Sequence, residues 1–202
     1  MKRDFFDYTH EEMLEMLVKK KLEKGELDPP APTYTEEEIQ QFEHHIGDSL
    51  PLDFRDYLLN VSREMCLDYY PNVVNLIKEG KCCLCDSSDL SKQCTQSKSN
   101  IPLKMNSWIH YFGPKMKDGK VVQEEKPRRP TCQLCKEEYH GNCNKCGINN
   151  YKGMIEIAFG GCTNFYRIII SGESKGTIWY EWDECSQKVA NSFSEYYDKS
   201  IY

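Results

Sequence analysis

Residues 131–147 read TCQLCKEEYHGNCNKCG, four cysteines and a histidine in seventeen positions, arranged as two C-x-x-C pairs seven residues apart. A C-x-x-C pair brings two thiolates to one ion from a tight turn, and four sulfurs complete the tetrahedral shell that zinc prefers. The competing explanation, a cluster of reduced buried thiols, needs apolar surroundings. The flanks KEEYHGN supply none. The spacing therefore predicts zinc bound by Cys132, Cys135, Cys143 and Cys146.

Metal rather than disulfide presumes a reducing compartment. The N-terminal MKRDFFDYTHEEMLEML lacks the apolar run of a secretory signal. No stretch approaches the roughly 18 apolar residues of a membrane span. The expectation is a cytoplasmic or nuclear protein, not secreted and without a membrane partner. Eleven cysteines are present, an odd count that suits a disulfide framework poorly. Cys82, Cys83, Cys85 and Cys94 form a second group. Cys66, Cys162 and Cys185 are scattered and read as small buried hydrophobes.

CQLCKEEYHGNC is similar to the inner half of a PHD or LIM-type finger. That similarity implies that His140 and Cys143 share an ion, with Cys82 and Cys85 as their partners and Cys132 and Cys135 on a second ion. With Cys94 and Cys146 the set has eight ligands and holds two zinc ions; the 132–146 cysteines alone hold one. Both readings stand at this level. Cys83 is left out, because adjacent side chains point apart. A shell closed by four ligands is structural, whereas a catalytic zinc keeps an open position. Neither H-x-E nor H-E-x-x-H occurs around the cysteines, and no glycine-rich phosphate loop is present. His110 has no partner by sequence, the pair His44 and His45 reads as helix surface, and Glu36 to Glu38 as a solvated helix start. The chain is not expected to be an enzyme.

Thr9 with Glu12, and Thr35 with Glu38, have capping-box spacing and predict two helix starts. Met13, Leu14, Leu17, Val18 and Leu22 share the apolar side of the first helix; Ile39, Phe42 and Ile46 that of the second. Gly25 and Gly47 are the stops. LDPPAP between them is a stiff linker. Pro51 opens a third helix that buries Phe54, Tyr57, Leu58 and Val61. A shorter helix is expected through PNVVNLIKEG. Trp108 to Phe112 is a strand candidate, and Asp118-Gly119 signals a hairpin. GMIEIAFG, NFYRIIIS and GTIWYEW predict a three-strand antiparallel meander, with Ile155, Ile157 and Phe159 on one side. Val189, Phe193, Tyr196 and Tyr197 mark a closing helix.

This order is α+β. TEEEIQQFEHHIGDSLPLDFRDYLLNVS resembles the N-terminal signature of the SUKH superfamily, with Glu43, Leu50, Pro51, Asp53, Phe54, Tyr57 and Leu58 at matching positions. MIEIAFGGCTNFYRI, GTIWYEWDE and VANSFSEYY are similar to its later blocks. The family's common N-G-G after the second helix is Asn60-Val61-Ser62 here. The resemblance covers about 35–65 and 153–198. It implies a twisted antiparallel sheet flanked by helices, interrupted by a zinc-binding insertion, and a non-enzymatic protein-interaction role, as in immunity proteins and a fungal cell-wall regulator. Members also occur in large DNA viruses.

The expected organisation is an N-terminal helix over 1–26, a proline-rich linker over 27–34, and a SUKH-like domain over 35–202 with the cysteine-rich insertion at about 80–150. Two alternatives stand beside an unidentified protein partner. Residues 98–129 carry eight Lys and Arg against three acids, in a chain of net charge −6. Such asymmetry suits a nucleic-acid-associated zinc protein, although a solvated basic hairpin explains it more simply. The third is a viral structural or assembly protein.

Overall fold

A computed structural model describes residues 4–65, 72–85, 87–94, 116–117, 120–121, 142–143, 148–149, 153–161, 164–172, 174–182 and 185–201. After a 3-10 turn (Phe5–Asp7), α1 (His10–Glu23) begins where the Thr9 hydroxyl accepts the Glu12 N–H at 3.2 Å and the Glu12 carboxylate accepts the Thr9 N–H at 2.8 Å. The same exchange between Thr35 and Glu38 opens α2 (Glu36–Ile46). Each box satisfies donors that a helix start leaves unpaired. Gly47 ends α2 in the left-handed region at φ 68°, where a Cβ would be strained. The third helix, α3 (Leu52–Asn60), follows Pro51 and buries Phe54, Tyr57 and Leu58, with Val61 beyond its end.

β1 (Glu64–Met65) pairs antiparallel with β2 (Asn72–Val73). β3 (Ile77–Lys78) pairs with β4 (Lys81–Cys82) as a hairpin. This replaces the short helix expected through PNVVNLIKEG. Val73, Val74 and Ile77 are β-branched, and Glu79 and Gly80 take φ 53° and 75°. Positive φ at both central residues is the hairpin geometry whose twist matches paired strands. Farther on, β5 (Met116–Lys117) pairs with β6 (Lys120–Val121), flanking the predicted Asp118-Gly119 turn. β7 (Asn142–Cys143) pairs with β8 (Ile148–Asn149). Trp108 to Phe112 lies outside the described residues.

The main sheet is an antiparallel meander of β9 (Met154–Gly161), β10 (Asn164–Ile169), β11 (Ile178–Trp182) and β12 (Cys185–Ala190), in that spatial order. It has four strands, not the expected three. CSQKVA carries little apolar alternation, yet it pairs from Trp182↔Cys185 to Ile178↔Ala190. Val189 accordingly lies in β12. Only then does α4 (Phe193–Ile201) begin, where the Ser192 hydroxyl accepts the Glu195 N–H at 3.1 Å and Glu195 accepts the Asn191 N–H at 2.8 Å. Phe159 also departs from expectation. A register shift in the β9–β10 ladder sets it opposite Phe165, with ring centroids 5.4 Å apart, while Ile155 and Ile157 stay in the main core. A bulge of this kind reverses the alternation beyond it.

The architecture is thus α+β, with four α-helices and antiparallel sheets among the described residues. One core joins α1 to α4 and one face of the main sheet. Phe193 sits at its centre, with the rings of Phe5, Phe54 and Tyr57 at 5.9, 5.2 and 5.3 Å. Met154, Ile169 and Trp179 form a separate buried cluster. The first helix splits its apolar set: Met13 and Leu17 are buried, while Leu14, Val18 and Leu22 are exposed.

Two carboxylates join consecutive elements. Glu43 of α2 accepts the Leu50 N–H at 2.8 Å and the Arg55 Nε–H at 3.2 Å, which fixes the turn between α2 and α3. Asp53 of α3 accepts the Ser194 N–H at 2.8 Å, at the start of α4. A carboxylate there satisfies an unpaired donor and faces the positive end of the helix dipole. Asp53→Ala is expected to destabilise the fold by about 1–2 kcal/mol, read as a lower urea midpoint at unchanged slope. An unaltered midpoint would mean that water replaces the carboxylate without cost.

Candidate metal centre

The metal-ligating side chains that converge among the described residues are His45, Cys82, Cys85 and Cys94. Their ligand atoms all lie within 4.8 Å of one another. Each arrives on a different piece of local structure. His45 lies three residues after Phe42 and one before Ile46, on the face that α2 buries, and is 1% exposed. Cys82 ends β4, opposite Ile77 in the hairpin, and is fully buried. Its N–H donates to the Ser87 carbonyl at 2.9 Å and that of Cys83 to the Leu76 carbonyl at 3.0 Å, so the chain turns back and delivers Cys85. Ser87, Asp89 and Ser91 continue the turn: the Asp89 N–H donates to the Ser87 hydroxyl at 3.2 Å and the Ser91 hydroxyl to Asp89 at 2.5 Å.

Cys94 is brought in by the end of α2. Its N–H donates at 2.7 Å to the carbonyl of His45, one of the acceptors that a helix terminus leaves open. The Gln93 side chain lies over Gly47 so closely that a Cβ there would collide with its amide. Glycine is needed at position 47 for its φ, and a Cβ there would also make the Gln93 amide move. Gly47→Ala is expected to cost about 1 kcal/mol or more and to disturb the approach of Cys94. Comparing thiol reactivity of this variant with that of the wild type checks the second effect.

One edge of the cluster has the length a tetrahedral ion requires. With Zn–S near 2.3 Å and Zn–N near 2.0–2.1 Å, the edge between a sulfur and a nitrogen ligand of a regular tetrahedron is about 3.6 Å. The Cys85 Sγ to His45 Nε2 separation is 3.5 Å. Three thiols and an imidazole are the donor set that zinc takes in structural sites. The other ring nitrogen, Nδ1, is buried and has no hydrogen-bond partner among the described residues. Cys82 and Cys85 are free thiols.

Hydrogen bonding already favours a thiolate at the centre of the turn. The Cys83 thiol, with help from the Leu84 N–H at 3.4 Å, holds the Cys82 thiol down to about 5 against the opposing effect of burial. The same contact pushes Cys83 up, leaving it as the protonated neighbour. A thiolate is the metal-binding form. Cys83 is exposed and outside the cluster, but its thiol turns toward Cys82 rather than away from it.

Of the eight ligands read from the sequence, three come together here: Cys82, Cys85 and Cys94. Among the described residues their fourth companion is His45. His44 is exposed, as expected of a helix surface, but its neighbour is not. Two signals pointed to His45. It falls on the α2 stripe of Ile39, Phe42 and Ile46, and three cysteines leave a tetrahedron one ligand short. Cys132, Cys135, His140 and Cys146 lie outside the described residues, as does the side chain of Cys143, whose backbone belongs to β7. The basic residues 98–129 are described only at 116–117 and 120–121.

No helix among the described residues is long and apolar enough to cross a membrane. Compared with family models, curated proteins and solved structures, the chain matches none of them.

Proposed function

We propose that this chain is a non-enzymatic protein-interaction module of the SUKH type, in which a structural zinc ion held by His45, Cys82, Cys85 and Cys94 fastens the end of β4 and the turn after it to the end of α2. The observation that carries the metal reading is the convergence of four zinc-type donors within 4.8 Å, three of them on a separate hairpin and turn from the fourth. Four donors fill a tetrahedron and leave no position for a substrate, which favours a scaffold over a Lewis acid. Burial of His45, Cys82 and Cys94 argues the same way. The interaction role rests on the residues that resemble the SUKH signature. Among them, Glu43 and Asp53 hold α2, α3 and α4 in register, so the resemblance follows the parts of the sequence on which the fold depends.

Cobalt substitution tests the closed shell. In a Cys132→Ser/Cys135→Ser background, which disables the neighbouring pair, apo-protein titrated with Co²⁺ is expected to give the intense visible bands of a tetrahedral thiolate site. Added azide or cyanide should leave them unchanged. Bands that shift on adding azide would reveal an open position and favour a catalytic metal. Absence of thiolate bands would remove the site.

A further inference from the structure

We propose that Cys82 and Cys85 are a peroxide-oxidisable pair: hydrogen peroxide joins them in a disulfide, and the zinc ion they help to hold is released. The inference rests on the metal reading above and adds a chemical event that undoes the clamp. Access to solvent is uneven among the four donors. His45, Cys82 and Cys94 are 1%, 0% and 3% exposed, whereas Cys85 is half-buried. An oxidant arriving from solution therefore meets Cys85 first. A reachable thiolate with a second cysteine beside it is the arrangement of redox-sensing sites. Here the second cysteine is Cys82. It stands in C-x-x-C spacing with Cys85 on one turn, its sulfur lies within 4.8 Å of the Cys85 sulfur, and the two thiols are in hydrogen-bonding contact. Cys94 comes to the cluster from beyond the turn, tied by its N–H to the His45 carbonyl at 2.7 Å.

The Cys85 thiolate attacks the peroxide: an S–O bond forms, the O–O bond breaks and hydroxide leaves, giving a sulfenic acid. The Cys82 thiolate then attacks the Cys85 sulfur: an S–S bond forms, the S–O bond breaks and a second hydroxide leaves. The two sulfurs together lose two electrons, which the two peroxide oxygens gain. Around a tetrahedral ion with Zn–S near 2.3 Å, two sulfurs stand about 3.8 Å apart. A disulfide needs about 2.05 Å, a closure that side-chain rotation within one turn supplies. His45 and Cys94 are then the remaining donors, two of the four that a structural zinc takes. The ion dissociates, and the turn after β4 loses its tie to α2.

The test uses the full chain in the Cys132→Ser/Cys135→Ser background, loaded with zinc and treated with hydrogen peroxide while a chromogenic chelator reads the released metal. Loss of the bound zinc ion is expected, and dithiothreitol with added zinc should restore it. Cys83→Ser should release zinc in the same way, with Cys82 and Cys85 becoming blocked to alkylation together. Cys85→His, which keeps four zinc-type donors but cannot form the disulfide, should hold its zinc in peroxide. Should Cys85→His take up no zinc, the alkylation pattern decides. Zinc retained in the peroxide-treated background protein would overturn the inference and leave the structural clamp standing. So would a loss that dithiothreitol does not reverse, or a loss with Cys82 and Cys85 still open to alkylation. Release abolished by Cys83→Ser would make Cys83 the disulfide partner and equally overturn it. A protein that binds no zinc before peroxide is added would overturn the metal reading itself.

Discussion

Removing zinc by chelation, or replacing His45 by alanine, is expected to free the turn after β4 from α2 and to lower the thermal midpoint by more than any single core substitution. Structural zinc contributes roughly 10–16 kcal/mol of apparent binding free energy in finger peptides. The net stability of a whole domain is roughly 5–15 kcal/mol. An ion of that affinity therefore decides whether the segment it clamps is folded. Besides the ion, Leu84 and Leu90 pack this segment against the core. From Cys83 to Cys94 the backbone turns on hydrogen bonds among Ser87, Asp89 and Ser91, and its anchors to α2 are Cys94 on the His45 carbonyl and Gln93 over Gly47. Without the ion, the contact between the Cys85 thiol and the His45 imidazole, at 3.5 Å, replaces only weakly the coordinate bonds of a zinc site. Hydrogen exchange should show deprotection of the Cys82, Cys83 and Cys94 amides in apo-protein and in His45→Ala, while the β9–β12 amides keep theirs. Equal protection with and without metal would show that packing alone holds the turn.

Lys21→Met is expected to cost roughly 3–5 kcal/mol, because it strands a buried carboxylate. Lys21 and Glu64 form an ion pair with both side chains about 95% buried, joining α1 to β1. The second oxygen of Glu64 accepts the Ala31 N–H at 2.8 Å, the Ser62 hydroxyl donates to the Ala31 carbonyl at 2.6 Å, and the Tyr57 hydroxyl donates to the Glu64 carbonyl at 2.9 Å. The pair is thus the centre of a network that fixes the proline-rich linker over β1. Lys21→Met/Glu64→Gln should regain most of the loss, since no charge is then buried and the amide oxygen still accepts from Ala31. Urea unfolding of both variants measures this. A double variant no more stable than Lys21→Met would mean that the network needs the charges themselves.

What the sequence made legible was local. Thr9 with Glu12 and Thr35 with Glu38 act over three residues, and both boxes form as their spacing predicts. The α3 stripe and the strand-rich C-terminal half were equally readable, because periodicity is a property of neighbours. Non-local geometry was less so. Val18 looks like Leu17 on a helical wheel, and only the packing of the chain decides that one is core and the other surface. The β12 strand was missed because CSQKVA is recruited by its partner Trp182 to Ile178 rather than by its own alternation. The first cysteine group is legible as ligands, but His45 reads from sequence as helix surface. Chain spacing cannot reveal that the end of α2 and the hairpin after β3 meet in space.

Native mass spectrometry of protein purified without added zinc tests the central claim most directly, comparing the wild type with Cys82→Ser/Cys85→Ser. The account predicts that the double variant carries one zinc ion fewer than the wild type, whatever the 132–146 cysteines hold. Equal zinc content in the two proteins, or a wild type without zinc, would contradict it.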